Sequence, residues 1–441
     1  MINKTKLFED TFLNVIPERV PIDVPLSFEA ILQYGDINVA KSQWEPRRIA
    51  PVVREICERV HSDKAPFTRP SRTASMYKFM GSKSFVFSKA DIMQHPEVCS
   101  LYPEDYDYFI EHPYDCMLER AIPRFNENID FINEPAASML NFAKGFGAQK
   151  VDAAEYAGAT ASIIAEYDYY KGFPGGASVA PVDYISDILR SFSGMSVDLR
   201  RNRQKVIDAA EAILPFLFKT GMPRVINEYS QTMYWTHMPT FMRPKDFEEV
   251  WWPSFFKICN NYAAAGVRSY PWLEDDWTRY IDYLEDLPVN STLRFEHGDA
   301  KLYKDRLGDS FVLTGLYPAT ALKTDTKEQC IDKAKELLDI MAPGGGYIFQ
   351  MDKVLMTISK PEMNNLCAVL DFVIEYGKYE NAGDHFGKVF SKGNYKTMPT
   401  REFKSKYYTV WADVEGISPE CAKKMQQNED EMLGYVAAFF K

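Results

Sequence analysis

Between Gly266 and Tyr379 the chain repeats one pattern four times: a short apolar run, a cluster of polar or glycine residues, then an amphipathic segment. The runs are Val267–Leu273, Thr292–Phe295, Phe311–Leu316 and Gly346–Met351. They end in Glu274-Asp275-Asp276, Glu296-His297-Gly298-Asp299, Tyr317-Pro318-Ala319-Thr320 and Asp352-Lys353. Short apolar runs are the mark of buried parallel strands, and such strands need a crossover of a dozen or more residues between them. The pattern therefore predicts an α/β fold of the (β/α)8 TIM-barrel type, whose active site lies where the strands end. On that fold Glu274, His297 and Asp299 are expected to converge on one pocket.

The 441 residues suit one large domain with insertions, and 46% apolar residues supply a sizeable core. A net charge of −11 argues against a general nucleic-acid binder, which would present a basic face. The seven cysteines are scattered and contain no CxxC pair. That reads as reduced intracellular thiols, not a disulfide framework or a thiolate zinc site. The first residues show no apolar signal core, and no run approaches the ~20 apolar residues of a spanning helix. A cytoplasmic protein without membrane contact is expected.

Glu18 to Pro25 reads as a proline-punctuated first strand, and Ser84–Phe87 as a short one. The segment Phe67-Thr68-Arg69-Pro70-Ser71-Arg72 is basic and loop-like. Helices are expected over Pro103–Phe125, within 127–171, from Pro181 to Arg190, over Lys205–Lys219, from Arg243 to Tyr262 and over Pro361–Tyr379. Phe173-Pro174-Gly175-Gly176-Ala177 reads as a loop, and Thr232–Met238 as a strand leaving through His237. The expected division is a decorated barrel over 1–379, with N-terminal helical insertions. A charged, aromatic C-terminal extension over 380–441 would pack on the barrel or on a second subunit.

Several strand-end residues can carry chemistry. Glu274 is a candidate metal ligand or general acid, against the plainer role of helix N-cap that Asp275 or Asp276 also fills. His297 and Asp299 share one strand terminus, where imidazole is the usual metal ligand and proton shuttle and the plainer role is a loop histidine held by a carbonyl. Glu296 alternates with His297, so on a continuing strand only one of them faces the axis. His237 closes an earlier strand and with Glu274 and His297 would complete a His/Glu/His zinc site with an open position. Tyr317 either bonds a substrate oxygen or is a packed ring with its hydroxyl satisfied. Gly344-Gly345-Gly346 precedes a strand, whereas phosphate loops follow one, so it reads as a helix stop.

Phe295-Glu296-His297-Gly298-Asp299 through Leu307-Gly308, Thr314-Gly315-Leu316-Tyr317-Pro318-Ala319-Thr320, Ala342-Pro343-Gly344-Gly345-Gly346-Tyr347 and Pro361-Glu362-Met363-Asn364-Asn365-Leu366 follow in an order that resembles the uroporphyrinogen decarboxylase superfamily. The resemblance implies a (β/α)8 barrel. The true decarboxylases grip their porphyrinogen with an arginine-rich segment after the first strand. Here Ile22-Asp23-Val24-Pro25-Leu26-Ser27-Phe28 stands in that place, without the cations that buried carboxylates require.

The resemblance thus points to the corrinoid-dependent methyltransferase branch, which moves a methyl group between a small molecule and the cobalt of a separate corrinoid (cobalamin-carrying) protein. Zinc in that branch is commonly held by His-x-Cys after one strand and Cys two strands later. Trp272 and Glu274 occupy the first positions and Tyr317 lies near the last, so a harder-ligand O-demethylase site for methoxylated aromatics is implied in place of thiol methylation. A homodimer is the family's implication for assembly. The alternatives are a decarboxylase or lyase using Glu274 with Asp299 as acid and base, or a non-catalytic binding paralogue.

Overall fold

The computed structural model describes residues 2–42, 44–68, 72–86 and 93–440. All four apolar runs lie in strands. With two earlier strands they form a parallel sheet in chain order: β1 (Gly175–Val179), β2 (Gln231–Thr236), β3 (Arg268–Asp276), β4 (Thr292–His297), β5 (Val312–Tyr317) and β6 (Tyr347–Met351). Helices cross between them: α1 (Phe192–Arg201) and α2 (Arg203–Gly221) after β1, α3 (Trp252–Ala264) after β2, α4 (Ala300–Leu307) after β4, α5 (Lys327–Met341) after β5 and α6 (Lys360–Tyr376) after β6. Strict chain order with helical crossovers advances a sheet in one rotational sense, as in TIM-like folds.

Beyond the sheet edges the pairing continues through single parallel bridges. Ile22 bridges Phe349 on β6, Leu26 bridges Phe67, and Lys64 bridges Tyr170 just ahead of β1. The Asp23 N–H donates to the Phe349 carbonyl (3.0 Å), Thr68 N–H to Leu26 (2.9 Å) and Tyr170 N–H to Asp63 (2.9 Å). The expected strand at Glu18–Pro25 is therefore an extended, bridged segment rather than a regular strand. Pro21 and Pro25 lack the N–H groups that a ladder needs.

Phe173–Ala177, expected as a loop, instead runs into β1. A Cβ at Gly176 would sit 1.7 Å from the Gly221 carbonyl at the end of α2, so glycine here permits close approach of strand and helix rather than a turn. The helix expected over Pro103–Phe125 is broken into short pieces around His112-Pro113 and Pro123. The second expected helix is a long one, Pro135–Glu166. Of Ser84–Phe87, the described part holds one bridge, Val86 to Gln94, and Phe87 lies outside the described residues, as do Arg69, Pro70 and Ser71.

Side-chain direction follows the pleat. Phe295 stacks on Tyr303 of α4 at 4.0 Å, so its neighbours Arg294 and Glu296 face inward. Tyr234 packs against Phe255 and Tyr262 of α3, which turns Trp235 and His237 inward. Asp384, Phe386 and Lys388 bond the backbone of Ile16, Asn14 and Asp309, ahead of the strand starts, and the chain from Met398 on lies along the helical layer. The Asn261 side chain bonds the backbone of Met398, and the final helix Pro419–Phe439 buries Leu433, Val436, Ala437 and Phe439 in the main core. Among the described residues no helix is long and apolar enough to cross a membrane.

Candidate active site at the ends of β1, β2 and β3

Three consecutive strand ends carry one interlocked set of side chains. After β1, Pro181 opens a helical turn, and the chain then adopts a π-helical stretch over Tyr184–Arg190. Single π turns are frequent at functional sites because they shift a side chain off the regular helical face. This one presents Asp187. It is fixed at its far end by Arg190, whose Nε donates to buried Asp198 at 2.6 Å and whose Nη1 donates to the Leu101 carbonyl at 2.7 Å.

Asp183 is fully buried and ties the three elements together. Its Oδ1 accepts the N–H groups of His237 (2.5 Å) and Met238 (2.7 Å), and its Oδ2 accepts the indole N–H of Trp251. Trp251 lies in a second π-helical turn, Phe247–Trp251, just before α3. Burial and the charge of Asp187 push the Asp183 carboxyl above its ordinary range, against the opposing pull of these donors.

His237 is held at both ring nitrogens. Nδ1 meets Asp187, and Nε2 lies 2.9 Å from Glu274 Oε1. Burial disfavours the imidazolium, but the bonds to Asp187 and Glu274 outweigh it and push the ring's pKa up to about 11. The Asp187 side chain is 19% exposed, that of Glu274 34% and that of His237 41%, so the open end of the set is reachable from outside. Just past Glu274 the strand register shifts and Asp275 takes a left-handed conformation (φ 63°), which an aspartate tolerates. Its N–H donates to Glu296 at 3.0 Å, joining β3 to β4.

The sequence candidates thus separate. His237 and Glu274 meet. His297 is exposed at the end of β4, in register with Asp276, and does not join them. Asp299 is no acid–base partner of Glu274: it is the N-cap of α4, accepting the Leu302 N–H at 3.0 Å. Tyr317 is buried on the helix side of β5, and its hydroxyl donates to the Cys330 carbonyl of α5 at 2.9 Å, so it does not line the site. The three-ligand zinc arrangement does not form. Both nitrogens of His237 are occupied by carboxylates, and among the described residues no group of three His, Cys, Asp or Glu is placed to hold a metal ion. The set fits a cationic imidazole rather than zinc.

Asp183, Asp187 and Trp251 were not singled out by the sequence. The signal was Pro181-Val182-Asp183 opening a helix, which gains meaning only once the glycines before it are seen as a strand. Two clefts lie elsewhere. One of ≈ 200 Å³ is lined by Lys4, Arg19, Cys57, Asp63 and Tyr169, and another lies against the final helix at Trp411, Val414 and Gln426.

No family model and no curated protein sequence matches the chain. Among solved structures, a methyltransferase from Methanosarcina mazei aligns with a TM-score of 0.51 at 13% identity, covering 85% of this chain and 99% of that one. The parallel α/β architecture is shared; at this identity the likeness concerns the fold.

Proposed function

We propose that this protein is a methyltransferase that moves a methyl group between a small methylated substrate, of the methoxylated aromatic class, and a corrinoid protein that acts as its co-substrate. On this reading the bridged segments at 20–27 and 63–68 complete an eight-stranded barrel of the uroporphyrinogen decarboxylase type, and the corrinoid protein docks over the strand ends. The single observation that carries the proposal is His237 held at the rim between Asp187 at Nδ1 and Glu274 at Nε2.

A methyl ether is a poor donor because its oxygen leaves with negative charge. A proton placed on that oxygen as the C–O bond breaks stabilises the leaving group. The corrinoid partner supplies the nucleophile that accepts the methyl group. The substrate oxygen takes the place of Glu274 Oε1 beside the Nε2–H of His237 and receives that proton, leaving a free hydroxyl group. Asp187 orients the ring and stabilises its charge through Nδ1. Displacing Glu274 removes one of the two contacts that raise the ring's pKa, so the imidazolium becomes a readier acid as the substrate oxygen takes that place. A fold shared with a protein named as a methyltransferase lends support to the reaction class.

The test is methyl transfer from methoxylated aromatics to reduced cobalamin, free or on a cognate corrinoid protein, followed by loss of the reduced-cobalt absorbance. Transfer that His237→Gln lowers about 100-fold is expected. A panel in which no donor reacts with either acceptor overturns the proposal.

A further inference from the structure

The inner face of the sheet carries two deeply buried arginines with different fates. Arg268, at the start of β3, has its guanidinium taken up by carbonyls: Nη1 donates to Phe12 at 2.6 Å and Nη2 to Glu228 at 2.8 Å. Arg294, one strand over and higher, is 3% exposed, yet its Nε and Nη1 have no hydrogen-bond partner. Among the described residues its one bond is a long one, 3.5 Å from Nη2 to the Met351 carbonyl. The guanidinium lies 3.9 Å over the ring of Trp272, whose indole N–H is also buried and unpartnered.

None of the acids around Arg294 makes a hydrogen bond to its guanidinium among the described residues. Asp23 Oδ2 is paired with Lys64 at 2.9 Å, while its Oδ1 is buried without a partner. Glu296 takes the Asp275 N–H and lies 3.4 Å from Lys353, and Asp352 accepts the N–H groups of Ala319 (2.9 Å) and Lys353 (2.7 Å). A buried cation with two free donors needs an anion to offset its desolvation.

We propose that Arg294 and the Trp272 indole N–H bind a carboxylate of the substrate inside the barrel, below His237 and Glu274. A guanidinium edge gives two parallel N–H bonds to a carboxylate, a geometry that Arg supplies and Lys does not. Trp272 is the register partner of Arg294, and Glu274 lies two residues further along β3, about 7 Å by strand pitch. That spacing resembles the span across a para-substituted benzene ring. Trp235 and Trp272, with centroids 6.2 Å apart, form an aromatic wall beside it. The inference rests on the methoxylated-aromatic reading and narrows it to methoxybenzoates.

The experiment is calorimetric binding of 4-methoxybenzoate and its neutral near-isostere 4-methoxybenzamide to the full chain without corrinoid. The benzoate is expected to bind about 10-fold more tightly or better. Arg294→Gln should bring the two affinities together, and Trp272→Phe, which keeps a ring and removes the N–H, should narrow the gap. Arg294→Lys carries the same test if the glutamine variant does not fold, and should retain only part of the preference. Equal affinities in the unaltered protein, absence of benzoate binding, or a preference that survives these substitutions overturns the anion site. Binding is read without turnover, so the two proposals fail separately. A carboxylate preference without methyl transfer would sink the transferase and leave the anion site standing. Transfer from neutral ethers with no preference would do the reverse.

Discussion

The rim over β1–β3 and the rim over β4–β5 look alike in sequence, yet their polar residues do opposite work. On the first, Asp183 accepts three donors from two other segments, and His237 is gripped by carboxylates from its two flanking strand ends. On the second, Asp299 caps its own helix, Tyr317 bonds the adjacent helix, and His297 is exposed. The lesson is that position after a strand does not by itself make a residue functional. A short strand-to-helix loop must satisfy the first N–H groups of the helix, and the nearest acid is drawn into that task. Where a longer connection or a π-helical turn intervenes, as at Tyr184–Arg190, acids are left to face one another across strands.

The largest expected effect lies at Asp183. Asp183→Ala strands three buried N–H groups, so stability to chemical denaturation should fall by about 4 kcal/mol. Asp299→Ala should cost about 1 kcal/mol as a lost N-cap. An equal loss at both would erase the distinction between the rims. Next, His237→Gln should lower methyl transfer about 100-fold, whereas His297→Ala should leave it within about twofold. A comparable fall at His297 would make the second rim part of the site.

The titration of His237 gives a smaller and more specific signature. Its folded pKa, about 11, lies above the ordinary 6.5, so the stabilisation is complete below pH 6.5 and is lost as pH rises through about 11. Because the ring is partly exposed, solvent screening reduces the effect to about 1–2 kcal/mol. Denaturation midpoints at pH 8 and pH 10.5 should therefore diverge in the native protein and converge in His237→Gln. A difference that persists in the variant would assign the alkaline loss to another group.

The strand–helix rhythm was legible because burial on both sides of a parallel strand writes an uninterrupted apolar run, and β3 to β6 fall on those runs. The strand β1 was not legible, since Gly175 and Gly176 carry the signature of a turn while Gly176 serves close packing against Gly221. That one misreading hid half the candidate site, because Asp183 and Asp187 are strand-end residues only if β1 exists. The pairing of His237 with Glu274 followed from the expected topology. The exclusion of His297, Asp299 and Tyr317 required knowing which local donors and acceptors each side chain meets. Arg294 gave no signal at all: an arginine between Leu293 and Phe295 reads the same whether its charge is satisfied or free.

By itself the sequence determined the succession of strands and helices, and which acids and histidines stand near strand ends, because periodicity and punctuation are local properties of the chain. Only the tertiary structure decided which of those groups share a proton, which are consumed by capping and packing, and which buried cation is left without a partner. Those outcomes depend on distances between residues remote in sequence and on the water excluded between them, and no local pattern records either.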